Sequence, residues 1–278
     1  MTNKLDEFSD FEHKGWQRVA LKYESAWGDL TRPFIPYLLK AAKVQTRTRL
    51  LDVACGPGYV AEAARVMGAE PTGVDFSSEM IRIARKRNQE INFHECDAQA
   101  LNFEHKLFDV VVMNFGIHHL SRPKAAFAEA FRVLRAGGRF GFTVWAGPEQ
   151  SPGAKIVEDS IESHADMSVE LPAGPEYFAF SDPEECRGTL SRLGFDPVSF
   201  VFQTVTVEWQ IPTASFLFKA ERDAGVRTAA LLAAQSPEKL EAIQAELDQK
   251  VSAYATDVGF TIPFAAHIIA ITKSGSRV

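Results

Sequence analysis

A glycine-containing turn that directly follows a short apolar run is the feature that most constrains the fold. Residues 50–61 (LLDVACGPGYVA) combine a predicted strand, the glycines Gly56 and Gly58, and the start of a predicted helix. Glycine lets the backbone approach a bound molecule closely. With Ala61 as the third small residue, the spacing is G-x-G-x-x-A, which is compatible with a dinucleotide-binding unit of strand, turn and helix.

The sequence around this turn alternates short apolar runs with segments of helical periodicity over residues 49–142. Such alternation is typical of βαβ units and predicts a parallel sheet with helices on both faces. Further apolar or alternating runs follow later in the chain. The predicted strands are 50–54, 71–75, 91–95, 108–114, 138–145, 198–209 and 261–272.

Two helices between the strands carry start and stop signals. One is predicted over residues 121–138, with Gly137 as its C-terminal stop. Another is predicted to begin at Ser181, where Ser181 and Glu184 have the spacing of a capping box.

The segment between the last two predicted strands is too long for a loop and has helical periodicity, with Ser236 as an N-cap. We therefore predict a helical cap inserted before the final strand. The chain is interpreted as one domain, residues 1–278, with five parts. These are N-terminal lid helices (1–45), a cofactor-binding core (46–146), a substrate-side loop, helix and strand (147–212), the helical cap (213–258) and the final strand (259–278).

Composition narrows the classes of partner. Thirty Lys and Arg against 36 Asp and Glu give a net charge of −6, which argues against nucleic acid as a partner. No apolar run is long enough for a membrane span and the start is too polar for a signal peptide, so we expect a cytoplasmic protein without membrane insertion. The three cysteines form no CxxC pair. The sequence does not decide whether the protein forms a homodimer, which is possible.

Two carboxylates near the turn bear on the cofactor. Asp75 follows Gly56 by 19 residues and can accept both hydroxyls of a ribose, in a dinucleotide or in another nucleoside. Asp52 lies four residues before Gly56, where its charge would repel a pyrophosphate and favour a cationic ligand. The sequence therefore favours S-adenosylmethionine over NAD(P), unless Asp52 only caps the turn.

Five motifs in order resemble the class I S-adenosylmethionine-dependent methyltransferases, and within them the small-molecule branch of the ubiquinone/menaquinone-biosynthesis type. The chain departs from the family pattern at Ala54, where glycine is commonest, and at Ala136, where proline is more usual. The resemblance implies an α/β, Rossmann-like three-layer sandwich with a seven-stranded, mostly parallel sheet whose last strand is antiparallel. The motifs are LDVACGPG (51–58), VDFSSEMI (74–81), CDAQAL (96–101), FDVVVMNFGIHHL (108–120) and LRAGGRFGFTVW (134–145).

The resemblance also implies the contacts of the adenosine part of the cofactor. Asp75 would hold the ribose hydroxyls, and Phe76 and Met80 would pack on adenine. Asp97 and Ala98 would contact the adenine edge. Met80 has an alternative role in plain core packing, since it lies among apolar residues of a predicted helix.

The remaining implied contacts surround the methionine part of the cofactor. Asn114 would line it, and Tyr23 and Trp27 of an N-terminal helix would form a lid, unless they only anchor that helix. The predicted cofactor-binding residues are Tyr23, Trp27, Asp52, Ala54, Gly56, Gly58, Asp75, Phe76, Met80, Asp97, Ala98 and Asn114.

Methyl transfer from a sulfonium mainly requires alignment and exclusion of water, so few catalytic side chains are obligatory. His118 and His119 follow the fourth strand, and His119 is the candidate base for an acidic acceptor. Both can instead serve only to hydrogen-bond the local backbone. We predict no metal, because the ligand types at 94–97 are consecutive in a strand and point to opposite faces.

We interpret the chain as an enzyme that methylates a small molecule at oxygen, nitrogen or carbon and releases S-adenosylhomocysteine. Aromatic residues at 177–180 and 216–218 indicate an apolar or aromatic acceptor, although they can equally form the cap's own core. Two alternatives are an NAD(P)-dependent oxidoreductase and a non-catalytic protein that binds S-adenosylmethionine.

Overall fold

The computed structural model describes residues 4–275, which form a mixed eight-stranded sheet between layers of helices. The strand order is β3-β2-β1-β4-β5-β8-β6, and β7 pairs with β8. Neighbouring strands among β1 to β5 are parallel, whereas β8 is antiparallel to both β5 and β6. The strands are β1 (Arg49–Val53), β2 (Glu70–Asp75), β3 (Asn92–Glu95), β4 (Phe108–Asn114), β5 (Leu134–Trp145), β6 (Phe195–Ile211), β7 (Ala255–Thr256) and β8 (Gly259–Lys273).

The predicted fold class is confirmed: the sheet is mostly parallel and its last long strand is antiparallel. The eighth strand, β7, has two residues and forms a hairpin with the start of β8. A π-helical turn (Glu24–Gly28) joins the first two helices. The helices are α1 (Lys4–Tyr23), α2 (Asp29–Thr31), α3 (Ile35–Ala41), α4 (Tyr59–Val66), α5 (Ser78–Arg87), α6 (Pro123–Val133), α7 (Pro152–His164), α8 (Pro183–Arg192), α9 (Phe216–Ala224), α10 (Arg227–Ala233) and α11 (Pro237–Ser252).

The central strand β4 shows why the sheet is covered on both faces. Successive side chains of a strand point to opposite faces. Val111 and Met113 pack in the core that includes α6 and α8, whereas Val110 and Val112 pack with α3 and α4. All four are buried, so β4 is a continuous apolar run rather than an alternating one.

Two of the predicted helix ends are wrong. Helix α6 ends at Val133, and Gly137 lies instead within β5, at a bulge where it has φ +73°. At α8 the N-cap is Asp182, whose side chain accepts hydrogen bonds from the backbone nitrogens of Glu184 and Glu185. Ser181 donates to the Trp145 carbonyl instead, so the predicted capping box is absent.

Three helices, α9 to α11, lie between β6 and β7, in the segment predicted to be a helical cap. Leu217 and Phe218 of α9 are buried with residues of α11 and with Ile156 and Ile161 of α7. These apolar residues therefore form the core of the segment. Within residues 4–275, no helix combines the length and apolarity that crossing a bilayer requires.

Candidate active site

A cavity of about 580 Å³ opens where β1, β2, β4 and β5 end. Open parallel sheets bind ligands at this edge, and the volume is in the usual range for small-molecule sites. Its first half is lined by the turns after the strands and by α1, and its second half by α7, α9 and α10. Eleven of the predicted site residues line it: Tyr23, Trp27, Ala54, Gly56, Asp75, Phe76, Met80, Asp97, Ala98, Asn114 and His119.

Asp75, at the end of β2, is fixed by two backbone hydrogen bonds. Its Oδ2 accepts from the Gly56 nitrogen at 2.8 Å and its Oδ1 from the Ser77 nitrogen at 2.9 Å. A carboxylate has about four acceptor positions, so each oxygen can accept a further hydroxyl from the cavity. Burial raises the pKa of Asp75 to about 6, although the two backbone bonds oppose that rise.

The two glycines of the turn have different roles. Gly56 has φ +51°, and a Cβ atom added there would have no heavy atom within 4 Å, so this position leaves space for a ligand in the cavity. Gly58 has φ +85°, and an added Cβ would lie 2.8 Å from Cζ of Phe93. Gly58 does not line the cavity; it is needed for the packing of the turn on β3. Ala54 has φ +52°, a conformation that favours glycine.

The structure does not place Asp52 against the cavity that most of the other predicted cofactor residues line. The Asp52 side chain is fully buried, and it does not line the cavity. Its Oδ2 accepts a hydrogen bond from the Ala61 nitrogen at 3.0 Å, in the first turn of α4, where backbone donors lack helical partners. Burial raises the pKa of Asp52 to about 8. Asp52 therefore caps the start of α4, which is the alternative role that the sequence left open for it.

The residues predicted to surround adenine lie together after β2 and β3. Phe76, Asp97 and Ala98 line the cavity, with Asp97 at the exposed rim, where its Oδ1 accepts from the Gln99 nitrogen at 2.8 Å. Met80 lines the cavity but is only 2% exposed. Its two predicted roles, core packing and adenine contact, are therefore compatible.

An unpaired side-chain oxygen lies at the end of β4. Oδ1 of Asn114 is buried and has no hydrogen-bond partner among the residues that the structure describes. An unpaired buried acceptor costs about 1–3 kcal/mol, so a donor such as an ammonium group would stabilise the site. Together with the space at Gly56 and the acceptor Asp75, this oxygen fits the amino-acid part of S-adenosylmethionine.

Tyr23 and Trp27 lie over this end of the cavity, at the junction of α1 and the π-helical turn. The Tyr23 hydroxyl is 3.3 Å from Oγ1 of Thr31, and Trp27 stacks on Trp209 at 5.6 Å between ring centroids. Sequence reasoning missed Trp16, which also lines the cavity. Its position seven residues before Tyr23, two helical turns away, was the available signal.

The two adjacent histidines differ in their hydrogen bonds. His118 is buried: its Nε2 accepts from the Trp145 nitrogen at 3.3 Å, so Nδ1 carries the proton and donates to the Tyr177 carbonyl at 3.0 Å. Burial lowers the pKa of His118 to about 3. His119 lines the cavity, and its Nδ1 lies 2.9 Å from Oε2 of Glu12 on α1. His118 is thus structural, whereas His119 has a nitrogen available to a ligand.

The lining of the cavity is largely apolar. Trp27, Trp145, Phe178 and Phe264 contribute to it, while Phe180, which was predicted near the acceptor, is buried in the core. Three carboxylic side chains line the second half, and none of them has an ion-pair partner within residues 4–275; they are Glu158, Glu162 and Glu221.

Burial raises the pKa of Glu221 to about 7, and a hydrogen bond to Thr228 opposes that rise. Arg227, which lines the same half, donates to the carbonyl of Pro172 at 3.0 Å. Within the described part of the chain, no three or more His, Cys, Asp or Glu side chains are grouped so that they could hold a metal ion. The expectation of a metal-free enzyme remains a prediction.

The Asp75 carboxylate at the carboxyl edge of a Rossmann-like sheet and the unpaired Asn114 oxygen in the same cavity are compatible with an S-adenosyl nucleoside. The family described as a methyltransferase domain matches residues 51–142. The chain is a class I S-adenosylmethionine-dependent methyltransferase that acts on a small molecule, and S-adenosylmethionine is its methyl donor. An NAD(P)-dependent oxidoreductase and a non-catalytic binding protein are not favoured.

Among curated relatives, the demethylmenaquinone methyltransferase of Renibacterium salmoninarum is 29% identical over 209 residues, which are 70% of this chain and 88% of that protein. The ubiquinone/menaquinone biosynthesis C-methyltransferase UbiE of Xylella fastidiosa is 35% identical over 112 residues, which are 37% of this chain and 44% of that protein. The chain is therefore similar to the ubiquinone/menaquinone-biosynthesis type, as the motifs indicate.

A solved structure supports the fold. Phosphoethanolamine N-methyltransferase 2 of Haemonchus contortus, in complex with phosphomonomethylethanolamine and S-adenosylhomocysteine, superposes with a TM-score of 0.56. It is 19% identical, and the match covers 96% of this chain and 60% of that one. At this identity the likeness concerns the fold.

Proposed function

We propose that this enzyme methylates a hydroxylated aromatic ring with an apolar substituent, of the kind found in a reduced naphthoquinone. The observation that carries the proposal is the continuity of one cavity from Asp75, past Asn114, to the aromatic side chains of Trp27, Trp145 and Phe264. Flat aromatic walls favour a flat aromatic ligand. The curated relatives, which are named for demethylmenaquinone and for ubiquinone and menaquinone biosynthesis, support the same class.

Asp75, Gly56 and Asn114 would hold the methyl donor in the first half of the cavity. S-adenosylmethionine, when bound, supplies a methyl group on a sulfonium whose departure leaves a neutral thioether. Tyr23 and Trp27 cover this region and exclude water from it. The predicted contacts of Phe76, Met80, Asp97 and Ala98 with adenine belong to the same proposal.

His119 would act as the general base. Its Nε2 makes no hydrogen bond within the described residues, whereas both nitrogens of His118 are engaged. On removal of the phenolic proton, the acceptor O–H bond breaks, an N–H bond forms at Nε2, and the electron pair stays on the acceptor. The acceptor then becomes a stronger nucleophile at oxygen and at the neighbouring ring carbon. Methylation at carbon is completed when that carbon loses its proton to solvent, which restores the aromatic ring. General bases contribute about 10²- to 10⁴-fold to the rate of such reactions.

The test is incubation of the enzyme with methyl-labelled S-adenosylmethionine and a reduced demethylmenaquinone that carries a short prenyl chain, followed by mass spectrometry. Label in the ring is expected. Tyramine, a phenol whose substituent is a cationic aminoethyl chain, is the comparison acceptor, because the carboxylic side chains of Glu158, Glu162 and Glu221 line the cavity and would suit a cation. Label in tyramine and none in the hydroquinone would contradict the proposal.

The role of His119 is tested separately with His119→Ala. Turnover of the accepted substrate should fall at least about tenfold, while calorimetry with S-adenosylhomocysteine gives a dissociation constant within about twofold of the wild-type value. Unchanged turnover would remove His119 from the mechanism but would leave the acceptor class intact.

A further inference from the structure

We propose that Glu12 of α1 is a positioning residue that holds His119 in the tautomer required of a base. The docking of α1 over the cavity would then complete the base as well as cover the methyl donor. This inference rests on the proposed function, because it assigns a partner to the proposed base.

The contact joins two distant parts of the chain. Oε2 of Glu12 lies 2.9 Å from Nδ1 of His119, and the two residues are 107 positions apart. Glu12 is fully buried, and its other oxygen, Oε1, has no partner among the described residues. The edge of the Trp16 ring packs on the imidazole, with the ring centroids 4.7 Å apart. The imidazole is therefore oriented from two sides by residues of α1.

This arrangement determines where the proton of the neutral imidazole lies. A carboxylate only accepts hydrogen bonds, so Nδ1 of His119 must carry the hydrogen that Glu12 receives. Nε2 is then unprotonated and can take a proton from the substrate that receives the methyl group. The same logic gives a hydrogen-bonded carboxylate its orienting role beside catalytic and metal-binding histidines.

Burial of Glu12 makes the charge of its partner important. A carboxylate buried with one partner is unfavourable unless positive charge lies close to it. When His119 has accepted a proton, its imidazolium neutralises Glu12 at hydrogen-bond distance. Asp75 also lies close enough to interact electrostatically with His119, whereas neutral His118 contributes no opposing charge at neutral pH. A protonated His119 would thus face the Glu12 carboxylate at hydrogen-bond distance, with Asp75 nearby.

The first measurement needs no acceptor. Nitrogen NMR of histidine-labelled wild-type protein with S-adenosylhomocysteine, assigned by comparison with His119→Gln, should show His119 protonated at Nδ1 in its neutral form. In Glu12→Gln the amide can donate to Nδ1, so a population protonated at Nε2 should appear. A wild-type His119 protonated at Nε2 would overturn the inference, even if the variant does not fold.

The second measurement is kinetic, with the reduced demethylmenaquinone as acceptor. Glu12→Gln should lower kcat at least about tenfold, with KM and the S-adenosylhomocysteine dissociation constant within about twofold. Asp10→Asn, the same chemical change at an exposed position of α1, is the matched control and should leave kcat unchanged. Unchanged kcat in Glu12→Gln would overturn the inference. If the wild type transfers no methyl group, the proposed function fails, and NMR still decides the pairing.

Discussion

Oδ2 of Asp75 accepts a hydrogen bond from the backbone nitrogen of Gly56 at 2.8 Å, which joins the end of β2 to the turn after β1. The second oxygen accepts from Ser77, so the carboxylate is oriented before any ligand binds. Because this hydrogen-bond acceptor is already oriented, it loses little conformational entropy when a ligand binds, which favours a high affinity for that ligand.

Asp75→Asn should raise the dissociation constant of S-adenosylmethionine about 10- to 100-fold at pH 7, because hydrogen bonds to a charged group contribute about 1.5–3 kcal/mol. The asparagine NH₂ group would also face a backbone donor. Since the pKa of Asp75 is about 6, wild-type affinity should fall between pH 7 and pH 5 as the carboxylate is protonated. Calorimetry at both pH values checks this, and a variant with the same pH dependence as the wild type would contradict it.

Asp52→Asn should leave the dissociation constant of S-adenosylmethionine within about threefold of the wild-type value, because the side chain lies outside the cavity. Its effect should be on stability. The pKa of Asp52 is raised to about 8 in the folded protein, so between about pH 4 and pH 8 the folded state binds a proton that the unfolded state releases. Wild-type stability therefore falls as the pH rises through this window, by at most about 1.4 kcal/mol per pH unit.

Asparagine at position 52 keeps the acceptor for the Ala61 nitrogen and does not ionise. The free energy of unfolding of Asp52→Asn, minus that of the wild type, should thus be larger at pH 8 than at pH 6. Denaturant unfolding at the two pH values measures this difference. A tenfold loss of cofactor affinity would instead show that Asp52 acts on the ligand.

The long strands of the sheet could be predicted from the sequence because burial on both faces requires a run of apolar residues, which is easy to recognise. The predicted strand 108–114 coincides with β4, whose central residues are apolar without alternation. The end of α6 was missed because the bulge at Gly137 depends on the register between β4 and β5. At α8 the Asp182 cap is local, but Ser181 was also a possible cap, and its hydroxyl is taken by the distant Trp145 carbonyl. These two contacts, the bulge and the Ser181 bond, are tertiary, and local spacing does not encode them.

The same distinction applies to the site. Asp75 and Gly56 could be predicted because strand ends meet at one edge of a parallel sheet. The direction of the Asp52 side chain could not be predicted, because it is set by the hydrogen bond from the Ala61 nitrogen of the following helix. The contact between Glu12 and His119 also left no local signal, since it joins α1 to the segment after β4.

Gly58→Ala and Gly56→Ala should separate stability from binding. Both alanines would adopt a left-handed conformation, which costs about 1–2 kcal/mol. Only Gly58→Ala adds a clash, with Phe93 at 2.8 Å, and overpacking costs a further 1–3 kcal/mol or so. Thermal unfolding should therefore show the larger loss for Gly58→Ala, whereas calorimetry should show the larger loss of cofactor affinity for Gly56→Ala. The reverse order would contradict the assignment of the two glycines.

His118→Asn should destabilise the protein by an amount that depends on pH. At pH 7 the variant is expected to lose about 2 kcal/mol, because the Tyr177 carbonyl and the Trp145 nitrogen lose their partners. The pKa of His118 is lowered to about 3, so the folded protein does not protonate it at pH 5, whereas the unfolded chain, with a pKa near 6.5, does. The wild type therefore loses stability between pH 7 and pH 5, and the variant lacks this loss.

The destabilisation by His118→Asn should consequently shrink by about 2 kcal/mol between pH 7 and pH 5, since one pH unit corresponds to about 1.4 kcal/mol. Phe180→Leu is the matched control, because it alters the core next to the same segment without changing a titratable group. Its destabilisation should be equal at the two pH values. Urea unfolding at pH 7 and pH 5 measures both variants. A His118→Asn effect that does not vary with pH would mean that His118 is protonated in the folded protein, and its assigned hydrogen bonds would then be wrong.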